Sequence, residues 1–263
     1  KEAINSNKIL VKILSEACPV KNVFQLVESS DRNLTTEMMN LTGDIDLIIP
    51  RGGEGLIRFV RDNSKIPVIE TGTGNCHVYL DGDYDKEKAL KIIINAKTQR
   101  PSVCNAAEKL IIHKNVDKEF IKKITNELKE RGVKILGCEN TQQILDCELA
   151  TEQDWYTEFL DLKIAIKIVS STEEAINHIN KYGTRHSESI ISNNKENIEK
   201  FLNEVDAAAV YSNASTRFTD GFEYGLGTEI GISTQKLHAR GPMGLKAMTT
   251  TKYIIKGNGQ VRA

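Results

Sequence analysis

The sequence predicts a mixed α/β fold, and two observations lead to this prediction. Apolar residues recur at helical spacing in several segments, and short runs rich in β-branched residues stand between those segments. Such alternation of helices and strands is typical of proteins built around a parallel sheet. With 263 residues, of which 40% are hydrophobic, the chain is long enough for one large core or two smaller cores.

The first part of the chain is predicted to alternate between helices and strands. The predicted helices cover 5–17, 31–41 and 52–63, and the predicted strands cover 22–29, 44–50 and 66–71. The first helix carries an apolar stripe, which we expect to face a core. The residues of this stripe are Ile9, Leu10, Ile13, Leu14 and Ala17.

The same alternation of helices and strands continues to residue 213. The predicted strands cover 76–81, 108–116, 133–137, 162–169, 188–193 and 207–213, and the predicted helices cover 83–97, 117–132, 172–183 and 195–206. From Ser212 to Leu245 the periodicity is lost, and a long irregular stretch inside a compact protein is usually functional. The tail over 251–260 regains strand character.

Charge and hydropathy bear on whether the chain binds nucleic acid or a membrane. The net charge is −1, with 35 basic and 36 acidic residues well mixed, so no basic tract indicates nucleic acid or an anionic membrane surface. No apolar run approaches the roughly 20 residues that cross a bilayer. We therefore expect a cytoplasmic protein with neither nucleic acid nor a membrane as partner.

The five cysteines do not form a disulfide or metal pattern. Their number is odd and no C-x-x-C pair occurs, so reduced thiols are expected. The histidines show no metal-ligand spacing either, so no metal site is predicted. Cys76 shares a strand face with Val78 and Leu80, which predicts a buried filler.

Cys104 differs from the other cysteines. It lies in "TQRPSVCNAAEKL" (98–110), after the helix-breaking Pro101, and fits neither a helical nor a strand period. Two interpretations remain open for this residue: a buried filler or a nucleophile. Lys97 and Arg100 are close in sequence and would favour the thiolate.

Two glycine turns are candidate binding loops. "IPRGGEG" (49–55) opens a helix, where free amides and Arg51 would suit an anion; an ordinary turn is the alternative. "ETGTGN" (70–75) allows a ligand to approach the backbone closely, or is an ordinary loop. Glu70, at a strand end, would act as a proton acceptor, and Glu158 would bind a ribose hydroxyl. Solvent exposure is the alternative for both carboxylates.

Two later segments are rich in residues that bind anions. "NASTRFTDG" (213–221) places polar residues and Arg217 at a strand end, and Arg217 would suit a two-pronged contact with a carboxylate or phosphate. "STQKLHARGPMG" (233–244) adds further basic residues within the irregular stretch. Solvated loops are the alternative interpretation for both segments.

Four long motifs, in order along the chain, resemble one known family. They are "IPVIETGTGNCHVYLD", "NAKTQRPSVCNAAEKLIIH", "VYSNASTRFTDG" and "GLGTEIGISTQKLHARGPMGL". Together they resemble the gamma-glutamyl phosphate reductase family of the aldehyde dehydrogenase superfamily. The resemblance implies NADPH-dependent reduction of L-glutamyl 5-phosphate to L-glutamate 5-semialdehyde in proline biosynthesis. The reaction passes through a cysteine thioester, and phosphate is released when this thioester forms. No metal is required, because phosphate is already a good leaving group.

The resemblance also implies a domain organisation. Residues 1–72 would be the C-terminal part of a Rossmann-like NADPH-binding domain, 73–247 an α/β catalytic domain, and 248–263 a tail with an oligomerisation strand. Family members are longer at the N-terminus, so we expect a chain that starts inside the cofactor domain, and activity of this segment alone is not implied. A homo-oligomer and association with glutamate 5-kinase are the implied protein partners.

Individual residues take roles through the resemblance. Cys104 becomes the nucleophile, with backbone amides around Cys104 and Asn105 as donors to the developing oxyanion. The residues assigned to the cofactor are Arg51, Gly52, Gly53, Glu70 and Glu158. Ser215 and Arg217 are assigned to the α-carboxylate or the phosphate of the substrate. The alternatives are another acylating aldehyde dehydrogenase that uses coenzyme A, the reductase part of a bifunctional pyrroline-5-carboxylate synthase, and a non-catalytic nucleotide-binding or assembly module.

Overall fold

The computed structural model describes residues 3–263 and divides them into two units. The first unit runs to Pro50 and includes Gly55–Val68, and the second comprises Arg51–Glu54 and Ile69–Ala263. Assignment of separate roles to 1–72, 73–247 and 248–263 stays a prediction. No helix in the described range 3–263 combines the length and apolarity needed to cross a membrane.

Three helices make up the regular structure of the first unit, and each was predicted. They are α1 (Ala3–Ala17), α2 (Asn33–Met38) and α3 (Glu54–Asn63), of which α3 begins in the short segment that belongs to the second unit. The helix at 31–41 is shorter than predicted and runs from Asn33 to Met38, although the flanking Arg32 and Met39 also have helical backbone angles. Ile57 and Val60 are the buried residues of α3.

The three strands predicted over 22–29, 44–50 and 66–71 are wrong. Within residues 3–68 the described backbone forms only isolated bridges, Thr42 with Ile45 and Ile48 with Val68. A strand persists only where its N–H and C=O groups meet a neighbouring strand, and an extended apolar segment by itself does not provide one. The start of the first of these segments is not even extended, since residues 22–24 form a turn and bends and Asn22 has a φ of 61°.

The apolar stripe of α1 is also not buried as predicted. Ile9 is 62% exposed, Leu10 and Ile13 are each 56% exposed, and no residue of the described helix is buried. The helical period was correct, but periodicity reports an amphipathic face and not what covers that face.

A seven-stranded, fully parallel sheet forms the centre of the second unit. The strands are β1 (Cys76–Leu80), β2 (Ala107–His113), β3 (Lys134–Gly137), β4 (Glu148–Leu149), β5 (Lys163–Val169), β6 (Ser187–Ile191) and β7 (Ala209–Ser212). Their order across the sheet is β4-β3-β5-β2-β1-β6-β7. Six of them were predicted, whereas the two-residue strand β4 is too short to show a period.

Helices follow most of these strands. They are α4 (Lys86–Thr98), α5 (Lys118–Glu130), α6 (Glu139–Gln142), α7 (Glu152–Tyr156), α8 (Thr172–Tyr182) and α9 (Lys195–Glu204). The longer four were predicted, and α5 buries an apolar stripe formed by Phe120, Ile121, Ile124 and Leu128. Asp85 caps α4, because its side chain accepts a hydrogen bond from the Lys88 amide.

Apolar side chains cover both faces of the sheet. On one face, Leu110 and Ile112 pack with residues of α4 and α5, such as Ile93 and Ile124. On the other face, Tyr79 and Ile111 pack with residues of α8 and α9. All five residues of β1 are buried, which explains its nearly continuous apolar run, because a parallel sheet covered on both faces exposes neither side.

The chain after β7 is mostly irregular, as predicted. It contains two short 3-10 turns, at Thr216–Phe218 and Leu245–Met248, and an antiparallel pair of strands, β8 (Gly231–Ser233) and β9 (Gly241–Met243). Residues 249–263 adopt no regular secondary structure in this single chain. The expected pairing of this tail with another subunit stays a prediction.

Candidate active site

Loops at the amino ends of four neighbouring strands form the surroundings of Cys104. The 72–75 turn precedes β1, the Cys104 loop precedes β2, residues 157–159 precede β5, and residues 184–186 precede β6. Ligands of open α/β sheets usually bind at the carboxyl ends of the strands, so this location departs from the general rule.

The Cys104 loop lies directly against Gly74. A Cβ atom placed on Gly74 would be 1.4 Å from the Cys104 carbonyl oxygen and 2.2 Å from its carbonyl carbon. Only glycine allows the two backbones to approach this closely. On the same carbonyl, the Cys76 thiol donates a hydrogen bond of 3.1 Å. Cys76 is fully buried, as predicted, but it also holds the main chain of the candidate nucleophile.

Asn105 connects the same loop to the segment after β7. Its side-chain amide donates to the Thr219 carbonyl at 2.9 Å, and the Thr216 hydroxyl donates to the Asn105 carbonyl at 2.7 Å. The side chain of Asn105 is therefore a tether between two loops. Its predicted contribution to an oxyanion site, through backbone amides around Cys104, stays a prediction.

The protonation of Cys104 differs from what the sequence suggested. Burial raises the pKa of the Cys104 thiol to about 11, and the negative charges of Glu158 and Glu229 raise it further, while Arg217 lowers it. Lys97 does not favour the thiolate as expected, because it is fully buried and its Nζ atom lies 3.4 Å from the Glu108 carboxylate. Cys104 itself is only partly buried.

Glu158 reaches the 72–75 turn. Its Oε1 atom accepts a hydrogen bond of 2.5 Å from the Gly74 amide. Burial raises the pKa of Glu158, and this hydrogen bond opposes the shift. The Oε2 atom accepts no hydrogen bond from any residue in the described range, so one carboxylate oxygen is available to a ligand hydroxyl.

Glu229 is the residue near Cys104 that the sequence did not predict. It accepts a hydrogen bond of 2.9 Å from the Gly221 amide, and burial raises its pKa, while the Arg51 charge lowers it. Arg51 lies beside the same segment, since a Cβ on Gly231 would be 2.7 Å from its Nη1 atom. Glu229 lies in an irregular stretch without periodicity, and its position inside a glycine-rich motif is the only signal that the sequence carries.

The remaining predicted site residues are placed as follows. Glu70 is bound to Gln235, whose side chain accepts from the Glu70 amide at 2.9 Å and donates to its carboxylate at 3.1 Å. Ser215 is buried, and its hydroxyl caps the Thr216–Phe218 turn. Arg217 donates through Nε to the Gln99 side chain at 2.7 Å. Gly52 and Gly53 are exposed.

The structure thus brings Cys104, Asn105, Glu158 and Arg217 into one neighbourhood. Arg51 approaches it through Glu229, whereas Glu70 is linked to the 233–244 loop. The roles predicted for these residues in binding or catalysis stay predictions.

Comparison with known proteins identifies close relatives. Gamma-glutamyl phosphate reductases of Clostridium beijerinckii and Petrotoga mobilis are each 59% identical to the chain over 266 aligned residues. The crystal structure of gamma-glutamyl phosphate reductase from Thermotoga maritima matches with a TM-score of 0.95 at 54% identity. Each alignment covers 99% of the chain and 64% of the relative, so the chain spans 64% of the length of these proteins.

More distant structures share the fold alone. An acetylating aldehyde dehydrogenase from Geobacillus thermoglucosidasius matches with a TM-score of 0.61 at 21% identity, over 80% of the chain and 55% of that structure. An engineered glycolyl-CoA reductase with bound NADP+ matches with a TM-score of 0.67 at 15% identity, over 93% of the chain and 64% of that structure. The predicted aldehyde-dehydrogenase-like α/β fold is therefore confirmed. No family model matches the chain.

Proposed function

Because this chain belongs, over 99% of its length, to the gamma-glutamyl phosphate reductase family, we propose that it carries the cysteine site of such a reductase. The reaction is the reduction of L-glutamyl 5-phosphate to L-glutamate 5-semialdehyde with release of phosphate, as a step of proline biosynthesis. Since the chain spans 64% of its relatives, the activity is proposed for the intact protein and not for this segment alone.

One observation carries the proposal. A partly buried cysteine lies on a loop that is fixed from two directions, by Gly74 and Cys76 on its carbonyl and by Asn105 through Thr219. A nucleophile needs such fixed geometry, because small displacements of the attacking atom reduce the rate strongly. A Cβ atom on residue 74 would lie 1.4 Å from the Cys104 carbonyl oxygen, so this close approach of the two backbones requires glycine.

The first chemical step belongs to Cys104. Its thiolate attacks the acyl carbon of the substrate, the bond from that carbon to the phosphate oxygen breaks, and phosphate leaves with the bonding electron pair. A thioester between Cys104 and the glutamyl group results. Backbone amides around Cys104 and Asn105 would stabilise the negative oxygen that develops, by about 3 kcal/mol for one donor.

The Cys104 thiol must lose its proton before it attacks, because its pKa is raised to about 11. Glu158 and Glu229 are the carboxylates whose charges act on this thiol. Each of them accepts one backbone amide hydrogen bond, Glu158 from Gly74 and Glu229 from Gly221. We assign the proton acceptor to Glu229, because the proposal gives Glu158 to the cofactor ribose. Its raised pKa makes Glu229 a better proton acceptor near neutral pH than an ordinary carboxylate.

The residues present fit a nicotinamide cofactor. Glu158 has one carboxylate oxygen on Gly74 and the other available, which suits a ribose hydroxyl. Arg51, Gly52 and Gly53 precede α3 on exposed backbone and would hold the phosphates. Glu70, which pairs with Gln235, is assigned as a further cofactor residue. We assign the cofactor as NADPH, which, when bound, supplies the hydride that reduces the thioester to the aldehyde.

Further assignments complete the proposal. Arg217 and Ser215 bind the α-carboxylate or the phosphate of the substrate. Arg217 is close enough to Cys104 for its positive charge to lower the pKa of the thiol. The intact protein would act in the cytoplasm as a homo-oligomer, in association with glutamate 5-kinase. The compatible chemistry of the two enzymes is the reason for the last assignment, since an acyl phosphate hydrolyses readily in water.

Replacement of Cys104 tests the proposal. Cys104→Ala in the intact protein should lower the phosphate- and semialdehyde-dependent reduction of NADP+ by at least about a thousandfold, as expected for loss of a nucleophile. Cys147→Ala is the matched control and should retain activity. Activity of Cys104→Ala near that of the wild type would refute the thioester route. Activity that requires coenzyme A in place of phosphate would instead favour another acylating aldehyde dehydrogenase.

A further inference from the structure

A fully buried lysine lies beneath the candidate site, and the mechanism above does not use it. Lys109 belongs to β2 and has no exposed surface. A buried ammonium group is costly unless every donor is paired, so its partners indicate what it holds in place.

The Nζ atom of Lys109 has three partners. It donates to the Asn75 side-chain oxygen at 2.7 Å and to the Thr157 carbonyl at 2.8 Å. It also lies 4.2 Å from the centre of the Phe159 ring, within the range of a cation–π contact. One amine therefore holds two segments that precede different strands.

These two segments carry the two partners of a single hydrogen bond. Asn75 directly follows Gly74, the donor, and Thr157 directly precedes Glu158, the acceptor. On the far side of Glu158, the Phe159 amide donates to the Glu108 carboxylate at 3.0 Å. Glu158 is thus fixed at both neighbouring peptide groups by adjacent residues of β2.

We propose that Lys109 is a positioning residue for the Glu158 carboxylate, and that nicotinamide cofactor binding depends on it although it does not touch the cofactor. This inference rests on the proposed function, which gives Glu158 the contact to the ribose. Lys109 acts by holding Asn75 and Thr157 at a fixed separation, so that Gly74 and Glu158 remain bonded and the second carboxylate oxygen keeps its direction.

The protonation state of Lys109 does not limit this role. Burial lowers the pKa of Lys109 to about 7, and the neighbouring Glu108 opposes the shift. A neutral amine still has two N–H groups, which is enough for the Asn75 and Thr157 oxygens. Other charged groups that act on this amine are Lys97 and Asp154.

Direct titration of the intact protein with NADPH, followed by nucleotide fluorescence, tests the proposal. Lys109→Met should raise the Kd about tenfold, as expected for loss of one charge-assisted hydrogen bond. Lys163→Met is the matched control, because Lys163 lies 4.3 Å from the same Phe159 ring and pairs with Asp154 but bonds neither Asn75 nor Thr157. Its Kd should stay within about twofold of the wild type.

A double-mutant cycle separates positioning from general damage. If Lys109 acts through Glu158, Lys109→Met should change the Kd by less than about twofold in a Glu158→Gln background. Equal effects in both backgrounds, or a wild-type Kd for Lys109→Met, would overturn the inference. If Lys109→Met does not fold, Lys109→Gln decides by the same cycle, since its side chain is one atom shorter but keeps a polar group at the buried position. A wild-type protein that does not bind NADPH refutes the proposed function instead.

Discussion

Gly74 offers a direct test of how closely the Cys104 loop must be held. In Gly74→Ala, the new methyl carbon would start 1.4 Å from the Cys104 carbonyl oxygen and 2.7 Å from its Cα atom. Since real Cβ contacts lie beyond 3.0 Å, one backbone must retreat by at least 1.6 Å from the other. The obstructing atoms belong to the main chain, so no side-chain rotation relieves the collision.

The expected loss follows from that displacement. A shift of about 1 Å in a reacting group costs on the order of a hundredfold in rate, so Gly74→Ala should lower kcat of the intact protein by about a hundredfold or more. Overpacking at this site should also lower the free energy of unfolding by about 1–3 kcal/mol, measured by urea denaturation. The alkylation rate of Cys104 by iodoacetamide, followed by mass spectrometry, should change as well.

Gly55→Ala is the control for a glycine substitution without a collision. A Cβ on Gly55 has no atom within 4 Å, and the residue lies in α3, where alanine is favoured over glycine. In this variant Cys104 should be alkylated at the wild-type rate, and the free energy of unfolding should equal or exceed that of the wild type. A Gly74→Ala protein with kcat and Cys104 reactivity within about threefold of the wild type would refute the geometric reasoning.

Two further measurements test the protonation and the capping described above. Because the pKa of Cys104 is raised to about 11, the thiolate is the minor form below that pH, so its alkylation rate should rise about tenfold per pH unit between pH 7 and pH 10; a rate that levels off near pH 8 would contradict this. Asp85→Ala should lower the midpoint of urea denaturation through loss of the bond to the Lys88 amide, whereas Glu87→Ala, an exposed neighbour, should leave that midpoint nearly unchanged; equal effects would show that the cap contributes nothing.

Local sequence patterns correctly predicted the helices and strands that pack against other helices and strands. Helix α5 repeats its apolar residues at helical spacing, and β1 is a continuous buried run, so both were predicted within a few residues. The segments 22–29 and 44–50 have the same local character, but strand formation depends on a neighbouring strand, which no local pattern contains. The apolar stripe of α1 is exposed for a similar reason, because the local pattern does not contain the surface that would cover it.

The candidate site was predictable in its motifs but not in its contacts. Cys104 stood out because it fits no period, and Glu158 was a candidate carboxylate to which the family resemblance gave the cofactor role. The role of Gly74 depends on the carbonyl of a residue on another loop, and Lys109 occupies a strand position where the pattern predicts only burial or exposure. A buried lysine with three partners is a property of the assembled fold.

The long sequence separations at the site determine when it can form during synthesis. The hydrogen bond between Gly74 and Glu158 spans 84 residues, and the one between Asn105 and Thr219 spans 114 residues. A nascent chain therefore exposes Cys104 long before it contains the residues that surround it, and the closure of these distant contacts is expected to be slow. Until Thr219 has been added to the chain, its bond with Asn105 cannot form, so the Cys104 loop reaches its final geometry only after the following 114 residues have been made.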